Sequence, residues 1–449
     1  MRRVPRILIC VVVVLAGGFV FGGAAKYSNR IGGEFDFLVR SHLAILQPAD
    51  AASDTEVARS AIPEDETRPY GVYDGRGGYL LSWLRGSNYA GYGGTDQILG
   101  RSSVSRPAAM ETLATLRISD AQEETVIAVG RGQQLIVWQD LHNGKDYDVY
   151  GARVSDDGRV LDPNGFLIAG GPGNQISPTV IFNGTEYLVA WSHFEGVKYI
   201  IRSAKVSLAA QVSSVTLEAA SNDQHGLRPI LLKAGNGIWL FWAEARSTNR
   251  LMAKQLSTGQ SFPIAPDPGF GGKFVAVSDG RYVLLALSIV QGKFYDHADV
   301  LGIIWDTEKR STVPIDPATS KTFNRIGSGA RPGIIWIEDG SESPRKRAFD
   351  GNIRGLNVAW DGKSFIAVWS TVIFSESGPA AGRASNHLIL TRRIDTATGG
   401  FLGQEPKVVV QSKQPLRDPF LLSDGKGQVI LLYDTENEQG KKLIQSLVF

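Results

Sequence analysis

The chain has 449 residues, 43% hydrophobic and 20% charged, enough apolar content for a large globular core. Its 47 Lys and Arg against 45 Asp and Glu include Arg2, Arg3 and Arg6 at the extreme N-terminus, which leaves 44 basic against 45 acidic residues in the rest and excludes a nucleic-acid binder driven by bulk charge. The one cysteine, Cys10, excludes an internal disulfide or a Cys-ligated zinc site in the body.

The first 25 residues combine that basic start with an apolar run from Ile7 to Ala25, closed by Gly22-Gly23-Ala24-Ala25. This is the pattern of a signal peptide cleaved after Ala25. The run also approaches the ~20 residues needed to span a bilayer, so a retained signal anchor is the alternative. Either way the spacing predicts an apolar helix, and the body is expected to be extracytoplasmic, periplasmic or secreted. Residues 26–55 read as a linker. Phe35, Leu38, Val39, Leu43 and Leu46 recur at helical spacing until Pro48, and a polar stretch follows.

From residue 56 to 449 one unit recurs: an apolar strand, a Gly turn, then an apolar strand that often carries Trp. The turns are Asp74-Gly75, Gly130-Arg131-Gly132, Asn183-Gly184, Asn236-Gly237, Asp279-Gly280, Asp361-Gly362 and Asp424-Gly425. Asn-Gly and Asp-Gly suit tight hairpins because their central residues need positive φ. Four-stranded units of this length are the signature of propeller blades, and seven turns predict an all-β, seven-bladed β-propeller. The long gap between Asp279 and Asp361 requires an insertion at about 317–352. Gly333-Ile334-Ile335-Trp336-Ile337 within it is the candidate for an eighth blade. The last blade runs out of chain after a third strand, 441–449, and residues 56–62 are expected to pair with it and latch the ring.

Two successive units are most alike. Leu135-Ile136-Val137-Trp138-Gln139-Asp140 leads to Asp148-Val149-Tyr150-Gly151-Ala152-Arg153-Val154-Ser155 and then Gly158-Arg159-Val160-Leu161-Asp162-Pro163; Tyr187 to Ser192 repeats the first of these. From about Gln133 to Ser192 the chain resembles a family of secreted bacterial repeat proteins with these units. The resemblance implies a β-propeller-like, extracytoplasmic protein and transfers no activity.

In a propeller the tight hairpins share one end of the ring, and the more varied loops the other. Candidate ligand-binding residues on the varied end are Arg85, Tyr89, Tyr92, Asp140, His142, Asp148, His193, Glu195 and Arg228. Tyr89 and Tyr92 offer rings for stacking on a sugar or apolar group. Arg68, Arg228, Arg354 and Arg417 each begin an inner strand, where they either place positive charge at the channel mouth or pin loops. Asp140, Asp146 and Asp148 alternate around Gly144 and offer oxygens to Ca2+, but the spacing and missing terminal Glu depart from an EF-hand. No cofactor is therefore expected. Neither a Gly-x-Ser-x-Gly elbow nor a His-Glu-x-x-His pair occurs. The expectation is a binding or scaffold module that engages an envelope protein or glycan, with the membrane contacted only through an uncleaved N-terminus. The alternative is a glycan-active hydrolase or lyase that uses carboxylates on the same end.

Overall fold

The computed structural model describes residues 66–85, 96–103, 106–117, 122–141, 143–221, 224–245, 250–264, 274–291, 297–315, 334–338, 354–374, 384–403, 406–440 and 442–448. The readings for residues 1–25, 26–55 and 56–62 lie outside them. Among the described residues there is no helix, and so none long and apolar enough to cross a membrane.

Blade 1 comprises β1 (Glu66–Tyr73), β2 (Gly78–Arg85), β3 (Asp96–Ser103) and β4 (Arg106–Arg117). Blade 2 holds β5 (Gln122–Val129), β6 (Gln133–Asp140), β7 (Asp148–Ser155) and β8 (Phe166–Ala169). Blade 3 holds β9 (Gln175–Phe182), β10 (Tyr187–Glu195), β11 (Lys198–Val206) and β12 (Thr216–Ala219). Blade 4 has β13 (His225–Ala234), β14 (Gly237–Ala245), β15 (Arg250–Gln255) and β16 (Gln260–Ile264). Blade 5 has β17 (Phe274–Ser278), β18 (Tyr282–Gln291), β19 (His297–Asp306), β20 (Ser311–Thr312) and β21 (Ile335–Glu338). Blade 6 has β22 (Arg354–Trp360), β23 (Ser364–Phe374), β24 (Ala384–Asp395) and β25 (Lys407–Ser412). Blade 7 has β26 (Arg417–Ser423), β27 (Val429–Glu436) and β28 (Lys442–Val448).

Within each blade successive strands pair antiparallel, save that β21 pairs with β19 and not with β20. Each first strand touches the first strand of the next blade, and β26 returns to β1. That closed cycle puts the first strands innermost and makes the fold a seven-bladed β-propeller. The ring closes through side chains: Tyr79, Leu81 and Trp83 of blade 1 share a core with Leu422, Ile430, Leu432 and Ile444 of blade 7.

Apolar residues occupy both faces of the second strands because each blade is covered by a neighbour on either side. The whole of β6 is buried, and Trp138, Trp191 and Trp369 are fully enclosed at equivalent positions. Truncating one such indole to alanine costs about 3–5 kcal/mol.

One sequence expectation changes on folding. Residues 334–338 do not open an eighth blade. The full length of β19 is already paired with β18, so β21 joins β20 on its other edge and completes blade 5 in two pieces. In blade 2, Gly158 to Pro163 is a turn held by a bridge from Val154 to Val160, and β8 is the outer strand. The Asp162 carboxylate is drawn inward by Arg153, accepting from its backbone N–H at 2.9 Å and its Nε at 2.8 Å.

Candidate functional site

The tight Asp-Gly and Asn-Gly turns gather at one end of the ring; the starts of the first strands and the ends of the second gather at the other. At that loop-rich end the first strands carry a recurrent bulge. Register shifts fall between Thr67 and Tyr70, between Leu227 and Ile230, and between Arg417 and Phe420; blade 3 has its own opposite Ala190 and Ser192. Pro69, Pro178, Pro229 and Pro419 occupy these bulges, because an edge strand tolerates proline where its ladder is already broken. The preceding residues Ser177, Arg228 and Asp418 take positive φ of 54°, 53° and 44°. Non-glycine residues held there cost about 1–3 kcal/mol each and persist only when their surroundings enforce them. For Ser177 and Arg228 the enforcement comes from the previous blade. Gln139 Oε1 accepts the Ser177 N–H at 2.8 Å, and Ser192 Oγ accepts the Arg228 N–H at 3.1 Å.

Asp140 and Asp148 stand directly opposite each other on β6 and β7, and both are buried. Asp140 Oδ2 accepts from Trp138 Nε1 at 3.0 Å. The connecting loop is organised by Asn143, whose Nδ2 donates to Asp146 Oδ1 at 2.6 Å and to Asp148 Oδ2 at 3.3 Å. Its Oδ1 accepts the N–H groups of Lys145 and Asp146. Gly173 N–H donates to Asp146 Oδ2 at 2.9 Å, and Asn174 Oδ1 accepts from Tyr147 N–H at 3.0 Å, so the loop is sewn to the entry of blade 3. Burial, with the Asp146 and Asp140 charges added, pushes the Asp148 carboxyl above its ordinary range; hydrogen bonds from Gly171 and Asn143 oppose this without cancelling it.

On blade 3, His193 lies opposite Gln175 and Ile200. Gln175 Nε2 donates to Gly173 O at 2.6 Å, which fixes its amide, and reaches His193 Nδ1 at 3.2 Å. Nδ1 is therefore the acceptor and the ring proton sits on Nε2. Burial first, then the Arg202 charge, lower the His193 pKa against the pull of Glu195. Glu195 is exposed and pairs with Arg202 at 2.9 Å.

The remaining candidates are spread around the same end. Arg85 ends β2, opposite Glu66 and Asp96, and Arg228 sits in its bulge. Arg68 lies in the blade 1 bulge and Arg354 opens β22, while Arg417 pairs with Glu436 at 2.7 Å. Tyr89, Tyr92 and His142 lie outside the described residues. The structure thus brings together Asp140 with Asp148, and His193 with Glu195. Sequence reasoning missed Gln139, Asn143, Gln175 and Ser192. The signal was there: a polar residue just after the strand Trp, and a proline at the next blade's entry.

Among the described residues no three His, Cys, Asp or Glu side chains gather as a metal ion would require. Two cavities among the described residues flank blade 2. One of about 320 Å³ lies at the tight-turn end between blades 1 and 2, where Asp156 is taken by the Arg76 ion pair and accepts from Gln134 Nε2 at 2.7 Å. The other, about 240 Å³, opens between blades 2 and 3 beside Trp191 and His193.

No family model and no curated relative matches the sequence. Among solved structures the chain is similar to the periplasmic gluconolactonase of Pseudomonas aeruginosa, at 13% identity and a TM-score of 0.47, over 82% of this chain and 96% of that one. It is similar to an ulvan lyase at 10% identity and a TM-score of 0.47, over 83% and 90%. It is also similar to the β-propeller domain of a trilobed protease from Pyrococcus furiosus, at 11% identity and a TM-score of 0.44, over 86% and 95%. Identities this low transfer no activity.

Proposed function

We propose that this chain is an extracytoplasmic β-propeller, of the secreted bacterial repeat type, that engages an envelope protein or glycan through its loop-rich end. The observation that carries the reading is electrostatic. At that end burial works against ionisation of both Asp148 and His193, the environment that functional clefts impose on their polar groups. Binding is favoured over turnover because the other carboxylates already have internal partners: Asp140 has Trp138, Glu195 has Arg202, and Glu244 has Arg250. The hydrolase or lyase reading keeps one specific support, the opposed Asp140–Asp148 pair with one carboxyl of raised pKa.

The test immobilises the full chain and presents fractionated envelope glycans and membrane proteins, with glycan cleavage assayed in parallel. Binding without cleavage, weakened in a variant combining Asp140→Asn, Asp148→Asn and Glu195→Gln, is the expected result. Cleavage by the wild type that disappears in Asp148→Asn would replace binding with the enzymatic reading. Residues 1–30 fused to a reporter active only outside the cytoplasm should give signal; a silent cytoplasmic reporter would overturn the compartment.

A further inference from the structure

The cavity of about 240 Å³ between blades 2 and 3 lies on the flank of the ring and differs chemically from the loops above it. Its walls include Leu167, Ile168 and Ala169 of blade 2 and Val212 and Val215 of blade 3; Leu167 and Val215 are 49% and 47% exposed. Its polar side chains are Ser213, whose hydroxyl donates to Ser214 O at 3.0 Å and accepts the Lys205 N–H at 2.9 Å, and three others, Trp191, His193 and Arg202.

These three side chains follow from register. Trp191 on β10 lies opposite Arg202 on β11, and His193, two residues along, shares their face. In blade 2 the equivalent positions hold Trp138, Tyr150 and Asp140. There the indole N–H is satisfied internally by Asp140. In blade 3 the acid is replaced by His193, whose acceptor nitrogen already receives Gln175. Trp191 is 1% exposed and its Nε1 has no hydrogen-bond partner. Trp242 and Trp305 also carry unpartnered indole nitrogens, but only Trp191 borders either of the cavities described above. A buried donor without an acceptor costs free energy that a ligand can recover.

These three side chains carry donors: the Trp191 indole N–H, the proton on His193 Nε2 and the Arg202 guanidinium. Arg202 has five N–H donors, one of which reaches Glu195 Oε1 at 2.9 Å. A neutral imidazole donates without requiring an anion, so the guanidinium supplies the charge. The apolar walls call for a hydrocarbon body, and the volume, below the usual range for drug-sized ligands, limits it to a small one.

We infer that this cavity binds a small branched aliphatic carboxylate, with its oxygens at Trp191, His193 and Arg202 and its alkyl group against Val212, Val215 and Leu167. The inference does not depend on the loop-rich end being a binding surface. Glu195, on the rim, opposes an anionic ligand, but it is largely exposed and solvent screens it.

The test follows tryptophan indole N–H signals by NMR in the full chain, with the Trp191 signal assigned by its loss in Trp191→Phe. Titration with 4-methylpentanoate should move that signal saturably. Acetate, which lacks the body, and 4-methylpentan-1-ol, which lacks the charge, should leave it in place at the same concentrations. Arg202→Gln, at a partly exposed site that leaves the core intact, should weaken the acid about tenfold or more, and Glu195→Gln should tighten it. N-acetyl-leucine distinguishes a chain-terminal carboxylate, which would move the signal as well, from a free acid, which alone would do so. No saturable shift with 4-methylpentanoate, an equal response to the alcohol, or unchanged affinity in Arg202→Gln would each overturn the site.

Discussion

The two ends of the propeller are built from the same strands and treat charge in opposite ways. At the tight-turn end carboxylates are welcomed as anions. Burial works against Asp361, yet the N–H groups of Ser364 and Lys363 and the Arg393 guanidinium outweigh it and hold the carboxyl below its ordinary range. Asp306 does the same with Arg281 and the N–H groups of Lys309 and Glu308, and Asp162 with Arg153. At the loop-rich end the balance reverses, with Asp148 shifted up and His193 shifted down. The tight-turn end spends its polar groups on holding turns and blades in place. The loop-rich end leaves polar groups whose charged forms are under-supported, and that is where a partner has something to add.

The largest expected effect lies at the tight-turn end. Asp361 is buried and accepts from Ser364 N–H at 2.7 Å and Lys363 N–H at 2.9 Å, besides pairing with Arg393. Asp361→Ala should lower unfolding free energy by about 2–4 kcal/mol in chemical denaturation. A change near zero would remove the distinction between the ends.

Acid titration separates them next. Because Asp162, Asp306 and Asp361 have lowered pKa values, the folded state holds fewer protons than the unfolded one as pH drops below the usual carboxylate range. Their contribution is complete above the unfolded value and is lost as pH falls through the lowered ones. Asp361→Asn should therefore flatten the acid limb of a plot of Tm against pH.

Asp148 carries the opposite sign. Its raised pKa means that the folded state prefers the protonated form, so its penalty is present at neutral pH and disappears as pH falls below the unfolded value. Asp148→Asn should raise Tm modestly at pH 7, with the gain fading in acid. A loss of stability at pH 7 would return Asp148 to a structural role.

The smallest expected effect is at His193. Its lowered pKa makes the neutral ring a source of stability above about pH 6.5, the usual unfolded value, which is lost as pH falls through the folded value. His193→Gln should remove that part of the profile and leave the aspartate limb in place.

Much of the ring is legible in the residues. The turns from Asp74-Gly75 to Asp424-Gly425 fall between first and second strands, and the strand Trp residues are buried as their pattern requires. What is not legible arises from contacts distant in sequence. Residues 334–338 have the look of another blade strand, but an unfilled edge of β19 decides their place. Asp140 reads as a free loop acid until Trp138, two residues back on the same face, is seen to donate to it. Ser177 and Arg228 carry no local signal for positive φ; Gln139 and Ser192, one blade earlier, supply the compensation.

The most direct test of the loop-rich end as the binding surface is amide hydrogen exchange on the full chain with and without the envelope fraction it retains. Added protection is expected in residues 143–148, 171–176 and 193–198, with the tight turns at 74–78, 183–186 and 361–364 unchanged. Protection confined to those tight turns would contradict the account.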